Sequence, residues 1–368
     1  MKLPSFSELD DEQQHVYQQP PDASILVVGP PGSGKTSMAI WRARVLSGPD
    51  LGRSVTLVTR NRLLTAAAER LALEQDGSAI NATTMNQLVW RDYKGRFNRS
   101  APQWRPYEYR WDLILQQYET AGVQPLVDHM IIDEGQNLPP GFFQWAMRFG
   151  ARTVSIFADE AQSTHAEGST MRDFGALGFT EALPLKINHR NTAEIVDLLE
   201  QLHVGTVPRP APARGGGTGR PRIVALTSWE DLANMVHSRF VNRSESIGVI
   251  VYQQVDVNHM HDLLRERLPR RARVDSYTSN SVKGAEYAIR MHEPGVTILS
   301  GESAIGLEFD TLYLQDLDRS LPFADPMQRR RIYMLCARAR DNLVLINGPR
   351  PLNTAQLQAL PATRYLNR

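Results

Sequence analysis

Gly29-Pro30-Pro31-Gly32-Ser33-Gly34-Lys35-Thr36 is the stretch on which the reading of this chain turns. It follows Ser24-Ile25-Leu26-Val27-Val28, a β-branched apolar run that predicts a buried strand, and it opens an apolar-periodic helix from Lys35 onward. A loop of the form G-x-x-x-x-G-K-[ST] between a strand and a helix suits phosphate. Its glycines let backbone N–H groups converge on phosphate oxygens, and the helix N-terminus adds a positive field. Lys35 is then expected to bridge the outer phosphates and Thr36 to offer its hydroxyl to Mg²⁺. Gly29, Pro30, Pro31, Gly32, Ser33, Gly34 and Ser37 would line the nucleotide. The other reading, a fortuitous glycine turn, does not account for the strand before it and the helix after it.

Short β-branched runs and helical stretches alternate along the whole chain, which predicts an α/β fold with largely parallel sheets. Ser54-Val55-Thr56-Leu57-Val58, His129-Met130-Ile131-Ile132 and Thr153-Val154-Ser155-Ile156-Phe157 are further expected strands of the first half. Val207 to Arg222 (VPRPAPARGGGTGRPR) is too rich in proline, glycine and arginine to pack a core and reads as a linker between lobes. Beyond it the rhythm resumes with Ile223-Val224-Ala225-Leu226, Ile247-Gly248-Val249-Ile250-Val251, Val296-Thr297-Ile298-Leu299 and Leu343-Val344-Leu345-Ile346. The expected division is a first domain at 1–204 with a small aromatic and basic insertion at about 89–125, a linker at 205–221, a second domain at 222–350, and a tail at 351–368.

A chain of 368 residues exceeds what one compact core holds. With 42% hydrophobic and 22% charged residues it falls among ordinary globular chains, not the disordered or fibrous classes. The net charge of +1 gives no global field toward polyanions or membranes, so any polyanion site is local. The one cysteine, Cys336, excludes an internal disulfide and suits a reducing compartment. The start, MKLPSFSELDDEQQ, lacks the apolar segment of a signal peptide, and no run approaches the ~20 apolar residues of a membrane span. The expectation is a soluble, cytoplasmic protein with no membrane partner.

Met130-Ile131-Ile132-Asp133-Glu134 is an apolar strand ending in two carboxylates. Asp133 is expected to hold the magnesium shell, and Glu134 to accept the proton of an attacking water. Many strands end in acids. This pair gains weight by standing on a later strand of the sheet that carries the loop. Phe157-Ala158-Asp159-Glu160-Ala161-Gln162 ends the next strand, and Gln162 is a candidate sensor of the terminal phosphate. Alone, that stretch reads equally as a polar strand-to-helix turn.

Taken in order, these stretches resemble the motif series of superfamily 1 helicases, UvrD/Rep branch. The resemblance implies two RecA-like P-loop NTPase domains, parallel sheets flanked by helices, ATP and Mg²⁺ as cofactors, and ATP hydrolysis as the reaction. Leu9-Asp10-Asp11-Glu12-Gln13 is similar to the adenine-reading glutamine motif, with Gln13 as the reader. Thr59-Arg60-Asn61 stands where the family contacts DNA, and Thr84-Met85-Asn86-Gln87-Leu88 resembles the family's Thr-Phe-His-Ser-Leu. Thr59, Asn61, Thr84 and Asn86 are accordingly candidate nucleic-acid contacts. Asp133-Glu134-Gly135-Gln136 is close to Asp-Glu-Ala-Gln, and Ala158-Asp159-Glu160-Ala161-Gln162-Ser163 resembles Gly-Asp-x-x-Gln-Ser.

Asn188-His189-Arg190-Asn191-Thr192 is similar to Asn-Tyr-Arg-Ser-Thr, which makes Arg190 a candidate arginine finger and His189 a ring to flank adenine. Ser300 to Phe309 (SGESAIGLEF) resembles Thr-x-His-x-Ala-Lys-Gly-Leu-Glu-Phe, with Gly306 and Glu308 near the ribose. Tyr333-Met334-Leu335-Cys336-Ala337-Arg338-Ala339-Arg340 resembles Tyr-Val-Ala-x-Thr-Arg-Ala and makes Arg338 a second finger. Out of that order, Arg338 would read as one more solvated helix arginine.

The departures concern nucleic acid. Thr164-His165-Ala166-Glu167 replaces the family's aromatic pair, leaving His165 as the one ring there, and Glu302 and Ile305 replace a histidine and a lysine. Trp90, Tyr93, Phe97, Trp104, Tyr107, Tyr109 and Trp111, interleaved with Arg91, Lys94, Arg96, Arg99, Arg105 and Arg110, offer a compensation. Rings that stack bases beside cations that meet phosphate make a single-strand platform, with Trp90 and Trp104 as its leading candidates. The same rings equally suit a hydrophobic cluster that tethers the insertion, or a patch for a protein partner.

The expectation is an ATP-driven, helicase-like motor on single-stranded nucleic acid, DNA favoured, with unwinding left open. The alternative is an ATP-gated regulatory or assembly subunit whose partner is a protein such as a nuclease.

Overall fold

Each of those β-branched runs is a strand in the computed structural model, which describes residues 3–159, 168–204, 211–217, 219–290 and 293–368. Gln162 and His165 lie outside the described residues. By contact the chain forms two units, Lys2–Gly29 with Gly34–Leu185, and Lys186–Arg368 with Pro30–Ser33.

The first unit opens with α1 (Asp11–Tyr17), β1 (Ile25–Val28), α2 (Lys35–Ser47), β2 (Val55–Thr59), α3 (Arg62–Asp76), β3 (Ala82–Thr84) and α4 (Met85–Phe97). A hairpin of β4 (Gln103–Arg105) and β5 (Glu108–Tyr109) follows, then α5 (Trp111–Thr120), β6 (Val127–Ile132), α6 (Pro140–Trp145), β7 (Ala151–Ala158), α7 (Met171–Ala176) and β8 (Leu183–Pro184). Six strands form one sheet in the order β3-β2-β6-β7-β1-β8, and every neighbouring pair is parallel. Parallel strands need a crossover rather than a tight turn: α2 carries the chain from β1 past β7 and β6 to β2, and α3 joins the neighbours β2 and β3. All residues of β1 and β2 are buried, as a sheet covered on both faces demands. The loop after β1 and the acids after β6 and β7 thereby share the carboxyl end of the sheet, where ligands of open α/β sheets bind.

The aromatic insertion divides in two. Tyr93, Tyr109 and Tyr118 are buried in the core that also holds Leu26, Met130 and Ile132 of the sheet. Tyr93 and Phe97 stand 4.7 Å apart by ring centroid, and Tyr118 packs against Phe97, Trp145 and Phe149. These rings tether the insertion. Trp90, Trp104 and Tyr107 instead stay 50%, 71% and 73% exposed.

The second unit runs β9 (Ile187–Asn188), α8 (Ala193–Leu202), β10 (Ala211–Pro212), β11 (Arg222–Ala225), α9 (Trp229–Asn242), β12 (Ser246–Val251), α10 (Gln254–Arg267) and β13 (Val274–Tyr277). It continues with β14 (Gly295–Ser300), β15 (Phe309–Leu314), α11 (Pro326–Cys336), β16 (Ala339–Asn347) and α12 (Thr354–Ala359). Its sheet is also six-stranded and parallel throughout, in the order β11-β16-β15-β12-β14-β13. Part of the Pro-Gly-Arg stretch is structured here. Ala211–Pro212 pairs with Ile187–Asn188, and Arg214 reaches the Asp341 carboxylate at 2.6 Å and the Arg190 carbonyl at 2.6 Å. Among the described residues, no helix is long and apolar enough to cross a membrane.

Candidate nucleotide site

Gly34 ends the loop at φ +90°, and Gly32 sits at φ +78°, a region that side-chain-bearing residues rarely adopt. Space excludes side chains there as well. A Cβ on Gly34 would stand 2.6 Å from Gln13 Nε2, so the expected adenine reader lies against the loop. Asp10 fixes Gln13 by capping α1, its carboxylate accepting from Gln13 N at 2.8 Å.

Lys35, at the first position of α2, is buried and donates from Nζ to the Gly29 carbonyl at 2.7 Å. Its ammonium also faces the buried Asp159 carboxylate at 4.0 Å, at the end of β7. Thr36 Oγ1 donates to Asp133 Oδ2 at 2.8 Å. Asp133 is 1% exposed, and its other oxygen, Oδ1, is buried without a hydrogen-bond partner. Burial raises the Asp133 carboxyl pKa, and the neighbouring Glu134 charge raises it further. An unpaired buried carboxylate oxygen beside a hydroxyl fits a hard divalent cation, so Thr36 and Asp133 are the residues that would hold Mg²⁺. A bound Mg²⁺ would supply charge neutralisation on phosphate oxygens.

Glu134 turns out of β6 at φ +56°, a strained conformation for a residue with a side chain. Gln136, completely buried, donates from Nε2 to Glu134 Oε2 at 2.6 Å and accepts from Asp159 N at 2.9 Å on its Oε1. One amide thus orients the expected base and ties it to the end of β7. Sequence reasoning gave Gln136 and Asp159 no role of their own. The signal was available, since a glutamine two residues after a catalytic acid can reach back to it.

In the second unit, the segment 188–192 is fastened to the segment 337–341. Asn188 Oδ1 accepts from Arg190 N and Asn191 N, each at 3.0 Å, and Asn191 Nδ2 donates to the carbonyls of Ala337 and Ala339. Arg190 Nε meets Glu308 Oε2 at 2.6 Å, with both side chains largely buried. The candidate finger and the candidate ribose acceptor therefore bind each other. Gly306, just upstream, is at φ +82°. His189 is exposed, and its backbone N–H donates to the Gly32 carbonyl at 2.9 Å. Arg338 is 1% exposed, donating from Nε to the Met334 carbonyl at 2.9 Å and from Nη1 to the Leu307 carbonyl at 3.3 Å. It is not a solvated helix arginine.

The expected strand contacts have structural duties in the first unit. Asn61 caps α3 by accepting from Leu64 N at 2.8 Å, and Thr84 caps α4 by accepting from Gln87 N at 3.3 Å. Thr59, 1% exposed, bonds Thr65 Oγ1 at 2.6 Å. The Asn86 carbonyl accepts from Tyr109 Oη at 3.3 Å, joining the hairpin to α4, while its Oδ1 is buried and unpaired. Lys94 lies 4.9 Å from the Trp90 ring and Arg110 4.3 Å from the Trp104 ring.

A glycine loop with its lysine and threonine, and a carboxylate pair at the end of another strand of the same sheet, define the fold as that of a P-loop nucleotide-binding protein. Residues 112–347 match the model of the viral superfamily 1 RNA helicase core domain, which is more than half of the chain. The chain belongs to that family. The match begins after the glycine loop and is to the viral branch of superfamily 1, not to the UvrD/Rep branch that the motifs resemble. No curated protein matches the chain.

Similar solved structures include the arterivirus nonstructural protein 10 helicase, 15% identical over 95% of this chain and 64% of that one, with a TM-score of 0.43. The PRRSV helicase is 14% identical over 95% of this chain and 57% of its own, with a TM-score of 0.47. The arterivirus protein in complex with DNA is 14% identical over 94% and 65%, with a TM-score of 0.44. The chain spans 57% to 65% of the length of these helicases.

Proposed function

We propose that this chain is an ATP-dependent, Mg²⁺-requiring motor on single-stranded nucleic acid. The observation that carries the reading is the buried, unpaired Asp133 oxygen beside the Thr36 hydroxyl, next to the lysine of a phosphate loop. Glu134, oriented by Gln136, takes a proton from the attacking water, and Lys35 balances charge on the transferring phosphoryl. Gln13 reads adenine. Arg190 and Arg338 are proposed as the finger cations of the UvrD/Rep motif order, Gln162 as the phosphate sensor, and His189, Gly306 and Glu308 as nucleoside contacts.

Trp90, Trp104 and Tyr107 stack bases beside Lys94 and Arg110, a role their exposure and neighbouring cations support. The matched family is named for RNA, and one structural neighbour was solved with DNA. The deciding experiment is ATP turnover measured with single-stranded DNA, single-stranded RNA, duplex and no polymer. Several-fold stimulation by a single strand supports the motor. Equal turnover under all four conditions overturns it.

A further inference from the structure

Asn188 and Asn191 are both completely buried, and the backbone dictates which way each amide faces. Asn188 Oδ1 accepts from Arg190 N and Asn191 N, so its Nδ2 faces the other way and donates to Asn191 Oδ1 at 2.8 Å. Asn191 Nδ2 is thereby turned to the carbonyls of Ala337 and Ala339, the residues on either side of Arg338. In sequence, 148 positions separate Asn191 from Ala339. One side chain nevertheless reaches from the residue after Arg190 to both neighbours of Arg338. The far ends of the two arginines rest on consecutive residues, Arg190 on the Glu308 carboxylate at 2.6 Å and Arg338 on the Leu307 carbonyl at 3.3 Å.

We infer that Asn191 is a positioning residue that sets the spacing between Arg190 and Arg338, so that the two proposed fingers meet phosphate as one piece. The sheet does not do this work. β9 pairs with β10 in a separate two-stranded ribbon, so no ladder of the six-stranded sheet holds the backbone at Arg190. Other links along the seam are the bond from Thr192 N to the Arg340 carbonyl at 3.0 Å and the Arg214 guanidinium, which spans the Arg190 and Arg340 carbonyls. Neither touches the residues flanking Arg338, whereas Asn191 holds both. The Asn-Tyr-Arg-Ser-Thr motif that this stretch resembles has serine here, and a hydroxyl with one hydrogen cannot donate to two carbonyls. Two cations aimed at one phosphoryl group must keep their places closely, since a shift of about 1 Å can cost about 10²-fold in rate.

This inference rests on the finger reading of Arg190 and Arg338, and its test separates the two. The kcat and KM for ATP are measured below the melting temperature for the unmodified chain, Asn191→Ala, Asn191→Ser, Arg190→Gln and Arg338→Gln. The double arginine variant is measured with and without Asn191→Ala, using radiolabelled ATP so that slow hydrolysis stays readable. In Asn191→Ala, kcat should fall by about 10²-fold with KM unchanged, the pattern of an interaction made only in the transition state. Asn191→Ser keeps one donor and should fall less, and it carries the same test should alanine disturb folding. In the chain lacking both arginines, Asn191→Ala should cost nothing further, because a residue acting through them has nothing left to place.

The same fold-loss with and without the two arginines overturns the inference, for that is how an amide that only holds the fold behaves. A raised KM at unchanged kcat overturns it as well. Slow hydrolysis in both single arginine variants beside unaltered Asn191→Ala overturns it while the finger reading stands. If Arg190→Gln and Arg338→Gln each hydrolyse ATP like the unmodified chain, the finger reading and this inference fall together.

Discussion

Thr36 Oγ1 and Asp133 Oδ2 stand 2.8 Å apart, although 97 positions separate them in the chain. Thr36 and Asp133 are proposed to hold Mg²⁺, with the unpaired Asp133 Oδ1 open to it. Chelation with EDTA should abolish ATP turnover, and added Mg²⁺ should restore it. Asp133→Asn should remove the Mg²⁺ dependence of binding of a fluorescent ATP analogue. Persisting Mg²⁺-dependent binding in that variant would place the cation elsewhere.

Glu134 is oriented by Gln136 and by a strained backbone, so its chemistry separates from its geometry. Glu134→Gln keeps the shape and removes the carboxylate proposed as the base. Turnover should fall by about 10²–10⁴-fold with nucleotide affinity unchanged. Gln136→Ala should lower turnover less, because it frees the base without deleting it. Rapid quench measurement of a single turnover distinguishes the two, and hydrolysis surviving in Glu134→Gln would rule out that residue as the base.

Arg190 and Glu308 form a largely buried ion pair. Arg190→Ala takes from the buried Glu308 carboxylate one of the cations acting on it, Arg340 being another, and should cost up to about 3–5 kcal/mol in denaturant unfolding. Replacing both, with Arg190→Met and Glu308→Leu, should recover most of that loss while turnover stays low. A phosphate that recruits Arg190 must compete with Glu308 for it. If the single and double variants are equally unstable, the pair is not what holds these segments.

The exposed and buried rings of the insertion should respond oppositely to alanine. Trp90→Ala, Trp104→Ala and Tyr107→Ala should each weaken single-strand binding by about 1–3 kcal/mol while the melting temperature holds. Tyr93→Ala opens the core and should cost about 3–5 kcal/mol of stability. Fluorescence anisotropy with a labelled oligonucleotide reads the first effect and calorimetry the second. Unchanged anisotropy titrations in all three exposed variants would remove the platform.

His129 is a buried imidazole bonded to Ser155 Oγ at 2.8 Å and Thr153 Oγ1 at 2.6 Å. Burial, and then the charges of Arg42 and Arg53, push its pKa down to about 3. The unfolded chain takes up this proton near the ordinary value of about 6.5, so its contribution to stability is present above pH 6.5 and is lost as pH falls toward 3. The melting temperature should drop between pH 7 and 5, and His129→Gln should flatten that slope. An identical slope in the variant would assign the effect to other groups.

Much of the first unit was legible because its signals are local. The glycine loop, its flanking strand and helix, and the Asp133-Glu134 strand end are each written in under a dozen consecutive residues. The exposed and buried rings between Trp90 and Trp111 were not separable, because α4 and the hairpin alternate them by direction rather than by type. The Arg190–Glu308 contact and the bond from Asp159 N to Gln136 were invisible for a different reason. They depend on which strand ends lie side by side, and the parallel crossovers decide that over long stretches of chain. The helicase branch was the least legible part, since short motifs shared across superfamily 1 carried the resemblance.

Gly32 ties two parts of the sequence into one unit of inheritance. A Cβ at position 32 would strike the Asn188 amide and stand 2.8 Å from Arg190 Cβ, and that amide organises the backbone leading into Arg190. A lineage that drifts to alanine at 32 must first shorten residue 188 and find another anchor for the turn, so the two codons are expected to change together or not at all.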